Sequence, residues 1–384
     1  MAQRIAINSL LCVTLVSGTV FAQNSLPVDP LDNNAALSYW QAFALLPPID
    51  ESARDELASV MRGEAAVSDA MREIVMASEH SLEFLHRGVH IESCAWGLAF
   101  ELGPYAYLPH LGKARELSRT ALMRARIRFK AGQVQEGIDD TLAAIRLGRH
   151  VGQDGVIVLI NILVGFAIEL EAIETIADSL HRLNQQQRDD FEQELNRFPS
   201  RFDMKVAIQG ERDVFLGWLL REIESGRSRD RIVDLAAESV KPQTIAQIKE
   251  ASSEQLREWA RETGVLYEAV IAAVSKPNET LATAERLEAQ IEGQVASNPV
   301  TKMFLPAFGS TRLARKRYVT KKAQLSAAFA LFRSGASALE LEELRDPFGN
   351  GPFELHRVDE GVELVSDLKR GDTAVTLRVP GLLQ

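Results

Sequence analysis

The residues best suited to chemistry in this chain are histidines and glutamates among apolar neighbours. Glu83, His86 and His90 lie at helical spacing, so a helix carries them on one face, where a carboxylate and two imidazoles can ligate a metal ion. Gly88 stands between the histidines and the zinc-protease spacing is absent, which leaves surface or interface histidines as the competing reading. Glu101, His110 and Glu211 form a second set. Meeting in a cleft, they supply acid–base groups, because imidazole titrates near neutrality. The alternatives are that His110 caps a helix starting near Gly112, and that Glu211 is an ion-pairing or solvated carboxylate. Cys94 lies between Ile91 and Trp96 with no base beside it, which predicts a buried, inert thiol.

Arg312, Arg315, Lys316, Arg317, Lys321 and Lys322 make a dense basic run with no acid between them. Such a patch suits anionic lipid, a wall polymer or an acidic partner. The same charges are equally met by pairing with Glu340, Glu342 and Glu343. No phosphate-cradling glycine loop, Gly-x-Ser-x-Gly elbow, zinc-ligand cluster or EF-hand is present, so no cofactor is expected.

Composition bounds these readings. The 384 residues are 46% hydrophobic and 25% charged, an ordinary globular balance. A net charge of −10 gives no electrostatic basis for nucleic-acid binding. Residues 1–22 read as a secretory signal peptide: Arg4, an uncharged core from Ile5 to Val20, and Val20-Phe21-Ala22 before Gln23. Its removal takes Cys12, leaves Cys94 without an internal disulfide partner, and predicts a periplasmic or extracellular product. The most apolar later stretch, Gly155 to Ile168, falls short of the roughly 20 residues a membrane span requires.

The elements that must position the candidates are helical. Asn33 and Asn34 cap a helix from about Ala35 to Leu46, closed by Pro47-Pro48, and helices follow over Glu51–Arg62 and Ser68–His86. From Ala114 to Val151 the pattern is an αα-hairpin turning at Ala131-Gly132. Ala114, Leu117, Ala121, Leu122, Ala125 and Phe129 lie on one side of its first arm; Arg115, Arg119, Arg126 and Lys130 lie on another. This unit is tetratricopeptide-like in its small residues and turn glycine. A helix over 155–183 turns acidic at Glu169, Glu171 and Glu174, and its Asn161 needs a buried partner. Amphipathic Asp203–Ser225 follows, then more polar helices over 228–292 that predict shallower packing, broken at Pro242 and Pro277. Leu313–Arg333 is the last helix. After Asp346-Pro347-Phe348-Gly349-Asn350 the period falls to two, predicting a three-stranded antiparallel meander packed on that helix. The expected architecture is mainly α, an irregular array of antiparallel helical hairpins with a small C-terminal β-meander. It is divided into a helical domain (23–310) and a terminal helix plus meander (311–384).

The run from Asn33 to Phe43, with Cys94-Ala95-Trp96-Gly97, Leu108-Pro109-His110-Leu111 and Gly210-Glu211-Arg212, resembles a family of uncharacterised exported proteins of planctomycete-type bacteria. The resemblance implies a largely helical exported protein without an agreed activity. The last seventy or so residues are similar to the helix-plus-hairpin end of type II secretion pseudopilins, which implies a reused packing module. The functional expectation is a non-catalytic protein that binds a protein or envelope-polymer partner in a groove between hairpins. Its alternative is a hydrolase or metalloprotein using the Glu and His groups above.

Overall fold

Small residues along two successive helix faces decide the centre of the molecule. Helix α5 (Pro109–Lys130) ends at Gly132, whose φ of +79° is open to glycine without strain, and α6 (Val134–Gln153) returns antiparallel. Each of the six apolar positions read from the first arm is buried. Helix α7 (Leu159–Ser179) packs back along α6, so α5 and α7 run parallel. The arginine side of α5 is therefore not solvated. Arg119 meets Glu171 at 2.6 Å and Arg126 meets Asp178 at 3.5 Å, partners seven residues apart on each helix.

This computed structural model describes residues 33–382 except 154–155, 199, 201, 226–229, 275–288, 290, 292, 294–296, 305–307 and 335–343. The leader read at 1–22, Cys12, Pro277 and the Glu340, Glu342 and Glu343 pairing lie outside the described residues. Ahead of the central hairpin stand α1 (Ala35–Leu45), α2 (Glu51–Met61), α3 (Asp69–Ala77), α4 (Glu79–Val89) and a 3-10 turn (Phe100–Tyr105). After α7 come α8 (Gln185–Arg197), α9 (Met204–Glu224), α10 (Asp230–Ser239), α11 (Pro242–Glu250), α12 (Ser253–Val274), α13 (Pro299–Phe304) and α14 (Phe308–Ser334). The chain ends in strands β1 (Glu354–Val358), β2 (Gly361–Arg370) and β3 (Thr373–Pro380), ordered β1-β2-β3 and antiparallel. The protein is mainly α with a C-terminal β-meander, as the patterning implies.

Four local expectations need correction. The helix read over 68–86 is two, because Ser78 turns the chain and its hydroxyl donates back to Ile74 O. The helix read from 155 begins at Leu159. Pro242 starts α11 at its first position, where its missing N–H is harmless, rather than breaking a helix. The segment read as shallowly packed contributes Leu256, Ala260, Leu266, Tyr267 and Val270 to a full core.

Two hydrophobic cores share α7. One joins α1 and α4–α7 to Leu325 and Phe329 of α14 and to Val362, Leu364, Leu377 and Val379 of the sheet. The other joins the start of α7 to α9–α13 and Tyr318. The boundary read between 310 and 311 thus falls inside α14, a helix that serves both cores. A three-stranded sheet alone is marginal. Here α14 and α7 cover its apolar face, and buried Gln324 donates to Leu364 O at 2.9 Å and Val375 O at 3.0 Å. The Asp346 turn is anchored on β2, its carboxylate accepting from Ser366 Oγ and Asp367 N.

Candidate binding groove and the buried polar groups beside it

Helix α8 is too polar to bury more than one edge. Its Phe191 plugs into the first core near Phe329, and Asn184 with Gln187 caps its start. Standing off from α4 and α6, it leaves a groove of about 530 Å³. Ile138, Leu142, Phe191 and Leu195 form the apolar lining, and Asp139, Asp190, Glu194, Arg146 and Arg197 also line it. The walls are braced: the Arg146 guanidinium lies 4.1 Å over the Phe198 ring, and Arg149 donates to Leu195 O. An apolar slot edged by both signs of charge suits an extended polar–apolar chain segment.

Glu83, His86 and His90 do not converge. Glu83 faces His80 at 3.3 Å, His86 Nε2 donates to Asp140 at 2.8 Å, and His90 stands exposed on the groove rim. Among the described residues no group of three or more His, Cys, Asp or Glu side chains is arranged to hold a metal. Asp140 is fully buried and also binds Arg124 and Arg128, each at 2.7 Å. These donors hold its carboxyl below the usual range although burial pushes the other way.

Glu101, His110 and Glu211 occupy three separate places. Glu101 is exposed on the 3-10 turn and lines another cavity, of about 540 Å³, with Trp218 and Arg231. His110 is fully buried in the first turn of α5, with no capping role. Its ring lies 4.7 Å from Trp96 and its Nε2 accepts from Asn161 at 3.3 Å, which supplies the partner Asn161 needed. Burial alone lowers its pKa to about 4. Glu211 is half-buried and has no ion-pair partner among the described residues; its carboxyl accepts from the N–H of Leu159, at the start of α7. The close approach that allows this is set by Gly210, where a Cβ would stand 2.0 Å from Ile157 O. Desolvation outweighs the hydrogen bond and raises the Glu211 carboxyl to about 7. Above that pH the folded chain must hold the charge, so stability falls as pH rises from the ordinary carboxylate value toward 7. Glu211→Gln keeps the bond to Leu159 and removes the charge. It raises stability at pH 8 by about 1–2 kcal/mol, allowing for solvent screening, and leaves pH 5 unchanged in denaturant titrations.

Tyr39, Trp40, Phe43, Trp96 and His110 meet in one aromatic cluster. Asn34 clips the ends of Ala95 to the start of α1, donating to its carbonyl at 2.9 Å and accepting from its N–H at 2.8 Å. Trp96 then stacks with Tyr39 and Phe43 and donates to His150 O. Buried His150, absent from the sequence candidates, accepts from Tyr39 OH at 2.6 Å, and its pKa falls to about 3, mainly through burial. Cys94 is buried in the same core.

The basic run on α14 is not an open patch. Lys321 pairs with Glu174 at 2.9 Å, Lys322 lies over the Tyr318 ring, and Lys316 lies over Phe348. Of the six cations only Arg315 is exposed. The acidic half of α7 thus meets basic side chains from α5, α6 and α14, including the buried Arg149–Glu169 pair at 2.9 Å. Among the described residues no helix is long and apolar enough to cross a membrane. The fold and groove define a helical-hairpin protein with a braced surface slot. In comparison with known proteins, the chain matches no family model, no curated protein and no solved structure.

Proposed function

We propose that this is an exported, non-catalytic binding protein that holds an extended segment of a protein or envelope-polymer partner in the groove between α4, α6 and α8. The observation that carries the reading is the groove itself, with its apolar lining beside charges of both signs. The acid–base candidates stand apart from one another, which favours binding over turnover. The export reading rests on residues 1–22, and N-terminal sequencing of the secreted material is expected to begin at Gln23.

A display selection of random peptides on the purified protein tests the groove. Asp139 is exposed on the groove edge, so Asp139→Trp fills the slot without entering the core. Selected peptides are expected to lose affinity by about tenfold or more for this variant. Peptides that bind the variant and the parent equally contradict the assignment.

A further inference from the structure

The arginine stripe of α5 is matched by acids on α7 only in part. Arg119 and Arg126 find Glu171 and Asp178. Four residues before Glu171, where the register would bring a partner to Arg115, α7 carries Ala167 within the apolar run Gly165–Ile168. The Arg115 side chain accordingly has no hydrogen-bond or ion-pair partner among the described residues, and although the residue is only half-buried its Nε is sealed from solvent. A buried donor without a partner is costly, and a guanidinium more so. Burial and the neighbouring Arg119 both press against its charge, with Glu171 the opposing influence.

Arg115 is not alone. It lines a cavity of about 470 Å³ between α2 and the start of α5, together with Arg54, Lys113 and Arg119. Lys113 is held by Glu116 at 3.1 Å and Arg119 by Glu171, but Arg54 also lacks a side-chain partner among the described residues. The cavity also takes in the amino end of α5, a 22-residue helix with no side-chain cap and no acid in its first turn. A helix amino terminus carries partial positive charge, so it adds to the lining cations, with Glu116 and the Arg119 partner Glu171 as the opposing acids. Ile49 and Leu57 make an apolar wall, and the Tyr107 ring stands 80% exposed at the mouth.

We propose that this cavity binds an organic phosphate, its oxyanion held by Arg54 and Arg115 and its organic part laid against Tyr107. Guanidinium groups pair with phosphate oxygens in a fixed two-point geometry, and a dianion balances the cavity's charge better than a single carboxylate. The site is separate from the groove, and its test is independent of the groove's occupant.

Phenyl phosphate, inorganic phosphate and vesicles containing phosphatidic acid are the probes, read by calorimetry and by thermal unfolding of the full chain at low ionic strength. Phenyl phosphate is expected to bind and to raise the melting temperature. Arg115→Gln and Arg54→Gln are each expected to weaken it about tenfold or more, whereas Arg87→Gln, at an exposed position on α4, leaves it unchanged. Without ligand, Arg115→Gln unfolds at the same temperature or higher, because it removes an unpaired, half-buried charge; this separates lost binding from lost folding. Tyr107→Ala weakens phenyl phosphate and spares inorganic phosphate. Vesicle binding that depends on Arg115 while phenyl phosphate stays unbound assigns the same oxyanion pocket to a lipid headgroup. Binding of none of the probes, or binding that survives both arginine substitutions, overturns the proposal.

Discussion

Replacing Asp140 with alanine is expected to destabilise the protein by about 3–5 kcal/mol in denaturant unfolding, a large part of a domain's stability. Asp140 is fully buried on α6 and accepts from Arg124, Arg128 and His86, which come from α5 and α4. Its removal leaves the nearly buried Arg124 guanidinium with Glu79 as its remaining ion-pair partner. An uncompensated buried charge is the expensive outcome, not the lost pair itself. Arg128 is more exposed than Arg124, so Arg128→Gln should cost well under half as much. Equal effects from the two substitutions would contradict this ranking. Because His86 joins this network to the groove, Asp140→Ala is also expected to loosen α4 against α6, seen as faster amide exchange in α4.

The second large effect is acid sensitivity. His110 and His150 are held neutral, with pKa values lowered to about 4 and about 3 by burial. In the unfolded chain both titrate near 6.5. Between about pH 6 and 4 the unfolded state therefore binds more protons, and stability falls as pH falls. Two such histidines give a slope of up to about 2.7 kcal/mol per pH unit. Glu211 opposes this slope, since its raised pKa makes the folded state take up a proton first as pH drops through 7. The double variant His110→Gln/His150→Asn keeps an acceptor for Asn161 and for Tyr39 while removing both titrations. It should flatten the stability–pH curve between pH 6 and 4. An unchanged curve would show that other groups carry the acid response.

Much of the fold is legible in the residues because its helices bury continuous stripes. The turn at Gly132, the cap at Asn34 and the alternation of Val362, Leu364, Val375, Leu377 and Val379 each follow from local geometry that one segment contains. Helix α12 misleads because charged residues fill half of its first turns, yet its apolar positions align against α9. Ser78 misleads because helical spacing continues on both sides of a break made by a side-chain hydrogen bond.

The candidate site is less legible for a physical reason: its parts come from distant segments. Glu83 and His86 share α4 and His90 caps its end, but what each does is set by His80, Asp140 and the wall of α8. The pairing of Arg119 with Glu171 and of Arg126 with Asp178 requires knowing that α5 and α7 run parallel, which no single segment states. His150 carried no signal of its own, since its partner Tyr39 lies 111 residues earlier. Once the helix order is known, however, the absence of an acid opposite Arg115 can be read from Ala167 in the sequence.

Amide hydrogen exchange with and without a selected groove peptide, followed by mass analysis of that peptide, tests the binding account most directly. New protection confined to α4, α6 and α8, with the peptide recovered at its original mass, is the predicted result. Protection elsewhere in the chain, or a peptide recovered cleaved, would contradict it.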